Sequence, residues 1–351
     1  MFTTKKTRVA INGFGRIGRA FVKVARERKD IEIVAVNDLG NAANLAYLLK
    51  YDSAYGVSPF DVEAKADGSA IIVDGREIKF IQEKDATKLP WKALDIDVVV
   101  ESTGLFTSFE KAQVHITAGA KRVVISAPAK NDAPAEGVTA VAGATVLMGL
   151  NEDRLSTCQI TSNASCTTNA GSPLIAILDE KIGIEKAILN TVHAYTASQS
   201  LVDGPSKKDL REGRAAAMNI VPSSTGAAIA VTKALPQLAG KFDGVSIRVP
   251  VVVGSIVDVT FVAKRKTSAE EVNAILIAAS KEARWEGIFT VSDEPLVSSD
   301  IKGNRHASIV DLEFTRVVDG DLVKVMAWYD NEMGYTYTLV DHVAKVGKLL
   351  K

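Results

Sequence analysis

The fold of this chain follows from one short segment, Thr7-Arg8-Val9-Ala10-Ile11-Asn12-Gly13-Phe14-Gly15-Arg16-Ile17-Gly18-Arg19. It begins with apolar and β-branched residues, which predict a buried parallel strand, and continues through G-x-G-x-x-G into a helical pattern. Gly13 suits a tight turn, Gly15 lets a pyrophosphate approach the backbone, and Gly18 permits close helix–strand packing. The segment predicts a dinucleotide-binding turn, with an ordinary strand-to-helix turn as the simpler alternative.

A second buried strand, Ile31–Asn37, ends at Asp38. A carboxylate at this position of the dinucleotide pattern binds the adenosine ribose hydroxyls and repels the 2′-phosphate of NADP. The sequence therefore predicts NAD as the cofactor. Taken alone, Asp38 has a second interpretation as a solvated acid at a strand end.

Strand and helix patterns alternate over roughly the first 165 residues. Strands are predicted at 97–102 and 121–126, helices at 41–50 and 108–118, and a hairpin with an Asp-Gly turn at 71–80. This alternation predicts a doubly wound parallel sheet, the Rossmann arrangement, in residues 1–165. A cofactor would lie at the carboxyl ends of the strands, where Asp38, Thr103 and Ser126 are found.

The pattern changes after residue 165. Long strands are predicted at 187–193, 244–249, 255–263 and 322–328, with an amphipathic helix at 267–282. Long strands with helices grouped between them indicate an α+β domain with a mostly antiparallel sheet. We expect this catalytic domain to comprise residues 166–330.

Cys166 lies between a strand-like run and an apolar helix-like run. A thiol at a helix N-terminus faces unpaired N–H groups and the positive end of the helix dipole, which favour the thiolate. His193 ends a predicted strand and would serve as the base. With a dinucleotide site upstream, the pair suggests attack on an aldehyde, followed by hydride transfer and a thioester. An inert core cysteine and a satisfied histidine are the alternatives.

Composition limits the classes of function. The 351 residues indicate two domains, and Lys plus Arg (42) balances Asp plus Glu (42), so no overall charge attracts nucleic acid or an anionic membrane. A phosphorylated substrate must therefore be held by local donors. The two cysteines form neither a disulfide framework nor a zinc pattern, and we expect no metal site. No signal-like or membrane-spanning run is present, so we expect a cytoplasmic protein.

Motifs along the whole chain resemble those of the phosphorylating glyceraldehyde-3-phosphate dehydrogenase family. They are Ile11-Asn12-Gly13-Phe14-Gly15-Arg16-Ile17-Gly18-Arg19, Val36-Asn37-Asp38, Ala164-Ser165-Cys166-Thr167-Thr168-Asn169, Val192-His193-Ala194-Tyr195-Thr196, Ser224-Thr225-Gly226-Ala227-Ala228, Arg248-Val249-Pro250 and Trp328-Tyr329-Asp330-Asn331-Glu332.

The resemblance implies NAD-dependent oxidation and phosphorylation of D-glyceraldehyde 3-phosphate to 1,3-bisphosphoglycerate, a glycolytic step, by a homotetramer. It also implies that the C-terminal helix, 331–351, completes the cofactor domain. Cys166 would be the nucleophile and His193 its base. The implied ligand-binding residues are Ser165, Thr167, Thr225 and Gly226 for inorganic phosphate, Thr196 and Arg248 for the substrate phosphate, and Arg16, Ile17, Asp38, Ser126 and Asn331 for the cofactor, with Lys84 on the adenine side.

Some features depart from the family pattern. Ala170 replaces a common second cysteine, which excludes a disulfide within the motif, and Lys84 replaces an arginine, which removes planar stacking. Residues 304–308 are less like the family. Arg211 and Arg214 fall in a loop that in this family packs against a neighbouring subunit, so they are expected as interface or solvated charges more than as ligands.

Three rival functions are distinguishable. A related erythrose-4-phosphate dehydrogenase would release its acyl group to water and not to phosphate. A binding protein without catalytic activity, for example one that binds RNA in the cofactor cleft, conflicts with the neutral charge and the Cys166–His193 pair. A cysteine hydrolase leaves the glycine pattern unexplained.

Replacing Asp38 by alanine tests the cofactor assignment. Asp38→Ala should narrow the preference for NAD over NADP, because the repulsion of a 2′-phosphate is removed. The ratio of kcat/KM for the two dinucleotides measures this preference. An unchanged ratio would mean that the carboxylate does not face the ribose.

Overall fold

The strand predicted at the start of the chain is β1 (Thr7–Asn12), which lies within a nine-stranded sheet. The computed structural model describes residues 5–130, 141–206 and 209–351. They form two compact units. The first comprises residues up to Val146, Asn151–Ala164 and Thr336–Lys351, and the second comprises Leu147–Leu150 and Ser165–Tyr335.

The first unit alternates strands and helices as its sequence pattern predicts. Its further strands are β2 (Ile31–Asn37), β3 (Tyr51–Asp52), β4 (Gly56–Val57), β5 (Val62–Ala64), β6 (Ala70–Val73), β7 (Arg76–Ile81), β8 (Val98–Glu101), β9 (Arg122–Ile125), β10 (Gly143–Thr145) and β11 (Ile160–Ser162), and its helices include α1 (Arg16–Ala25), α2 (Ala42–Lys50) and α3 (Phe109–Thr117).

The sheet order of the first unit is β10-β11-β9-β8-β1-β2-β7-β6-β5. The pairs from β10 to β7 are parallel, and β6 and β5 extend the sheet in antiparallel fashion. The chain leaves β1 towards β2 and later returns to the other side of β1 as β8. This reversal is the topological switch point at which doubly wound sheets bind ligands.

Helix α3 packs on the sheet through an apolar cluster. Its members include Trp91, Ile96, Val99, Phe109 and Ile125, all of which are buried. Burial of such side chains contributes roughly 1.5–3 kcal/mol each. The cluster packs β8 and β9 against α3 and so positions the carboxyl ends of these strands.

The second unit contains a seven-stranded sheet in the order β13-β14-β12-β15-β18-β17-β16. Four of its six pairings are antiparallel, as predicted. Its elements are α4 (Cys166–Lys181), β12 (Ile184–Ala194), β13 (Val221–Ser224), α5 (Ala227–Ala234), β14 (Phe242–Val249), β15 (Ser255–Ala263), α6 (Ala269–Ala279), β16 (Phe289–Ser292), β17 (Ser308–Val318) and β18 (Leu322–Tyr329), followed by α7 (Met333–Lys348), most of which belongs to the first unit.

The sequence pattern does not predict β13, β16 or β17. Strand β17 carries Asp311, Glu313 and Arg316 among its apolar residues, and its register with β18 shifts between Asp311 and Arg316. A bulge breaks the two-residue alternation on which strand prediction relies. Within the described ranges, the structure has no helix that is both long and apolar enough to cross a membrane.

Candidate active site

The glycine turn between β1 and α1 has the shape that binding of a pyrophosphate requires. Gly13 has φ +96°, and a Cβ there would lie 2.6 Å from the backbone nitrogen of Thr103. A Cβ on Gly18 would lie 2.3 Å from the carbonyl oxygen of Gly13, whereas one on Gly15 would meet no described atom within 4 Å. The turn is thus closed towards the sheet and open at the N-terminus of α1, where N–H groups bind anions.

Asp38 lies directly beside this turn. Its Oδ2 accepts a hydrogen bond from Phe14 N at 2.7 Å, and its Oδ1 accepts one from Gly40 N at 2.8 Å. Each carboxylate oxygen has capacity for a further bond. The carboxylate is therefore oriented and has acceptor capacity for the hydroxyls of a ribose.

Three other residues are predicted to bind the cofactor. Arg16 and Ile17 begin α1, and Lys84 lies further along the chain. Arg16 forms a salt bridge with Asp52 at 2.9 Å, and the same carboxylate binds Lys23 at 3.1 Å. Ile17 is half-buried, and Lys84 is exposed. Asp52 thus orients the Arg16 guanidinium, whereas the side chain of Lys84 is exposed to solvent.

The remaining two predicted cofactor residues have defined partners in their own units. Ser126 donates its hydroxyl to the carbonyl oxygen of Glu101 at 3.0 Å in the first unit. In the second unit, Oδ1 of Asn331 accepts bonds from Gly254 N at 3.0 Å and Ser255 Oγ at 3.2 Å. These bonds fix the amide plane of Asn331.

The cysteine predicted as nucleophile is the first residue of α4. Ser165 caps the helix, since its Oγ accepts a bond from Thr168 N at 3.1 Å. Ala164, with φ +55°, adopts a conformation that is uncommon for residues other than glycine. A sharp turn therefore delivers Cys166 to the helix N-terminus, as the sequence predicts.

Cys166 and His193 form a hydrogen-bonded pair. The distance from Sγ to Nε2 is 3.3 Å, and Nδ1 of His193 lies 2.6 Å from the carbonyl oxygen of Ala194. A carbonyl only accepts hydrogen bonds, so Nδ1 carries the proton and donates it to Ala194. In the neutral imidazole, Nε2 therefore holds a lone pair directed at the thiol.

Burial acts on both members of this pair. Although Cys166 is only partly buried as a residue, protein surrounds its sulfur, and this burial raises the pKa of the thiol against the opposing effects of Arg248 and Thr167. Burial and the charge of Arg248 lower the pKa of His193 to about 3. The expectation that the helix N-terminus leaves a free thiolate is therefore outweighed by desolvation. His193 is neutral at pH 7 and available as a base.

Tyr329 connects the strand of His193 to the helix of Cys166, and the sequence assigned it no role. Its hydroxyl lies 2.9 Å from Thr167 Oγ1 and 2.7 Å from Thr191 Oγ1. Because Thr191 donates to the Ile256 carbonyl at 3.2 Å, Tyr329 donates to Thr191 and accepts from Thr167. Its ring meets that of His193 edge-on, with centroids 5.9 Å apart. Position within a motif was its only sequence signal.

Arg248, a predicted phosphate ligand, lies beside the strand of His193. It occupies the register position opposite His193 in the parallel pairing of β12 with β14, and it donates to the Ala194 carbonyl at 3.3 Å. Its charge acts on both Cys166 and His193. A guanidinium at this position suits a phosphate dianion.

The other predicted phosphate residues supply neutral donors. Thr225 Oγ1 accepts from Ala227 N at 3.2 Å, and Gly226 is the N-cap residue of α5, with open space where a Cβ would lie. Thr196 Oγ1 pairs with Ser198 Oγ at 3.0 Å. Among the described residues, no hydrogen bond joins Thr196, Thr225 or Gly226 to the Cys166–His193 pair, so their grouping around it stays a prediction.

Arg211 and Arg214 each form an ion pair within the predicted loop. Arg211 binds Asp209 at 2.9 Å, and Arg214 binds Asp203 at 2.9 Å. Arg211, Arg214 and Asp203 are exposed, and Asp209 is partly exposed. This arrangement agrees with the expectation of solvated or interface charges.

Comparison with known proteins shows similarity to one family along nearly the full length of the chain. The family model described as "Glyceraldehyde 3-phosphate dehydrogenase, NAD binding domain" matches residues 7–109, and the one described as "Glyceraldehyde 3-phosphate dehydrogenase, C-terminal domain" matches residues 165–331. Curated relatives named glyceraldehyde-3-phosphate dehydrogenase include one from Mycobacterium avium, 48% identical over 350 residues, which span 98% of this chain and 99% of the relative. One from Borreliella burgdorferi is 49% identical over 348 residues, which span 97% and 100%.

The fold and the comparisons together define the class as NAD-dependent oxidoreductases. Within that class, the chain belongs to the glyceraldehyde-3-phosphate dehydrogenase family. The predicted resemblance, the α/β fold and NAD as the cofactor are confirmed.

Two glycine variants separate cofactor binding from packing. Gly15→Ala should weaken NAD binding while leaving the free energy of unfolding within about 1 kcal/mol of the parent, since its Cβ enters open space. Gly18→Ala should lower that free energy by about 1–3 kcal/mol, because its Cβ collides with the β1 turn. Urea unfolding and NAD titration measure the two effects. Undiminished NAD affinity in Gly15→Ala would refute the assigned phosphate approach.

A variant of Tyr329 tests the bridge to the nucleophile. Tyr329→Phe should reduce stability by about 1–3 kcal/mol, because Thr167 and Thr191 lose their shared partner. It should also lower kcat by about tenfold, because small displacements of reacting groups slow catalysis strongly. Tyr195→Phe makes the same chemical change outside this network and serves as the control. Equal kcat in the two variants would show that the bridge does not position the pair.

Proposed function

We propose that the protein oxidises D-glyceraldehyde 3-phosphate to 1,3-bisphosphoglycerate with NAD⁺ and inorganic phosphate, as a step of glycolysis. The observation that carries this proposal is the 3.3 Å contact between Cys166 Sγ and His193 Nε2, with the Nδ1 proton committed to the Ala194 carbonyl. This contact supplies a thiol and a base of fixed direction. Membership of the family supplies the substrate.

The first step is attack of the thiol on the aldehyde. The sulfur forms a bond to the carbonyl carbon while His193 Nε2 removes the thiol proton, which avoids a long-lived buried thiolate. The imidazolium then returns the proton to the carbonyl oxygen, and a hemithioacetal results. The bond of Nδ1 to Ala194 holds the ring in place during both transfers.

The second step turns the hemithioacetal into a thioester. His193 removes the hydroxyl proton again, and the cofactor, when held by the first unit, would supply the acceptor for the hydride that leaves the carbon. Inorganic phosphate then attacks the thioester carbon and releases Cys166. Tyr329 maintains the position of the helix that carries the sulfur through Thr167.

Local donors hold the two phosphates in this proposal. Arg248 and Thr196 bind the phosphate of the substrate, and the attacking phosphate is bound by Ser165, Thr167, Thr225 and Gly226. The position of Arg248 opposite His193 supports its part of the assignment. Neutral hydroxyl and N–H groups suit the attacking phosphate, because they orient it without strongly reducing its nucleophilicity.

The first unit binds the cofactor through its glycine turn. We assign the pyrophosphate to the N-terminus of α1 with Gly13, Gly15, Arg16, Ile17 and Gly18, since Gly15 leaves open space there. We assign the ribose to Asp38 and the adenine side to Lys84. Ser126, which follows the end of β9, is a further cofactor-binding residue in this proposal. Asn331, with its amide oriented by Gly254 and Ser255, binds the nicotinamide carboxamide.

The protein acts as a homotetramer in the cytoplasm in this proposal. Apolar side chains within the segment predicted to pack on a neighbour support the assembly, because Leu201, Leu210 and Met218 are each at least 82% exposed. Both Cys158 and Cys166 are free thiols, which suits a reducing compartment.

The requirement for phosphate tests the proposed reaction. Without inorganic phosphate, NADH formation should stop after about one equivalent per chain, because the acyl group stays on Cys166. Addition of phosphate should restore turnover, followed by NADH absorbance. Cys166→Ser serves as the control and should give neither the initial burst nor turnover. Undiminished turnover without phosphate would contradict the proposal and favour water as acyl acceptor, as in erythrose-4-phosphate dehydrogenases.

A further inference from the structure

Glu101 is a buried carboxylate at the switch point of the first sheet. It ends β8, is only 1% exposed, and stands in register with Asn12 at the end of β1. Asn12 Nδ2 donates to Glu101 Oε2 at 2.7 Å. This side-chain hydrogen bond joins β1 and β8, the two strands at the topological switch point.

Four donors converge on the carboxylate. Besides Asn12, Oε2 receives His115 Nε2 at 2.9 Å, and Oε1 receives the Thr103 N–H at 2.8 Å and its hydroxyl at 2.5 Å. The His115 tautomer follows from Trp91, whose indole can only donate and lies 3.2 Å from Nδ1. Nε2 of His115 therefore carries a proton towards Glu101. This set of donors suits an ionised carboxylate, which only accepts.

The same group connects the backbone segments that would surround a dinucleotide. Ser102, which follows Glu101, donates its hydroxyl to the carbonyl of Gly13 at 2.7 Å. Ser126 donates its N–H and hydroxyl to the Glu101 carbonyl at 2.9 and 3.0 Å. Asn12 Oδ1 in turn accepts a hydrogen bond of 2.8 Å from Nδ2 of Asn37, the residue before Asp38. The glycine turn and the ends of β2, β8 and β9 thus share one centre.

We propose that Glu101 is a positioning residue for the NAD site. Its carboxylate holds the strand ends at the spacing that the dinucleotide needs, without touching the ligand. The proposal rests on the proposed function only in taking the first unit as the site of NAD binding. Trp91 contributes by donating to His115 Nδ1, so that His115 Nε2 donates its N–H to Glu101.

An amide cannot replace this carboxylate. Glutamine has the same shape, but its NH₂ group would face Thr103 donors at one end or the Asn12 and His115 donors at the other. A buried donor left without an acceptor is unfavourable, so the strand ends must move apart or a donor must turn away. This displacement of the strand ends should lower the affinity for NAD, because these strand ends form its binding site.

Glu101→Gln tests this proposal. It should raise the Kd and KM for NAD by about tenfold, the effect of leaving one buried donor unpaired. The kcat at saturating NAD, the KM for the aldehyde and the alkylation rate of Cys166 should stay within about twofold of the parent. Calorimetric titration with NAD and steady-state kinetics supply these values.

Asp97→Asn is the matched control. Asp97 precedes the same strand, and its carboxylate binds Arg8 N at 2.9 Å and Lys121 at 2.7 Å, so it also joins β1 to β8 but at their amino ends. Loss of that carboxylate should lower the free energy of unfolding and leave NAD affinity unchanged. Equal loss of NAD affinity in both variants would refute a positioning role and indicate a general effect of stability.

A pair of His115 variants covers the case in which Glu101→Gln does not fold. His115→Phe removes one donor to Glu101 and should weaken NAD binding, whereas His115→Gln can donate to Glu101 and accept from Trp91 and should restore it. Equal NAD affinity in the parent and His115→Phe, or in the parent and folded Glu101→Gln, would overturn the inference. Failure of the parent itself to bind NAD would instead refute the proposed function.

Discussion

The hydrogen bond from His193 Nδ1 to the Ala194 carbonyl is the interaction on which the proposed chemistry depends. It selects one tautomer and directs the Nε2 lone pair at Cys166. Burial keeps the imidazole neutral, and a neutral imidazole can carry its single proton on either nitrogen. Without the bond to Ala194, the proton could lie on Nε2 and face the sulfur. Tyr329 and Arg248 act around this fixed ring. The first fixes the helix of the thiol through Thr167, and the second provides charge beside the pair.

The first unit depends on a comparable backbone constraint. Gly13 approaches Ser102 and Thr103 so closely that a side chain has no room, and Gly18 approaches Gly13 in the same way. These contacts fix β1, α1 and the end of β8 in one arrangement. Glu101 extends the constraint across the switch point, because its carboxylate accepts hydrogen bonds from the side chains of Asn12, Thr103 and His115. In both units, short-range backbone geometry sets the direction of a site, and buried side-chain networks keep its parts at fixed distances.

Sequence predicted those features that depend on neighbouring residues. The glycine turn, the placement of Cys166 at the start of a helix and the end of β12 near His193 all follow from local patterns. Tyr329 could not be assigned a role, because its partner Thr167 is 162 residues away in the chain. Glu101 was part of an apolar strand pattern, and only the fold reveals that His115 and Asn12 meet it. The pKa of Cys166 could not be predicted either, since the helix dipole is visible in sequence but the burial of the sulfur is not.

In the proposed reaction, Cys166 carries the acyl group between oxidation and phosphorylation. The most direct measurement is peptide mass spectrometry after acid quenching of the protein with NAD⁺ and D-glyceraldehyde 3-phosphate in the absence of phosphate. We expect one acyl group per chain, on the peptide that contains Cys166, and its loss when phosphate is added before the quench. NADH formed without any acyl group on that peptide, or an acyl group on Cys158 instead, would contradict it.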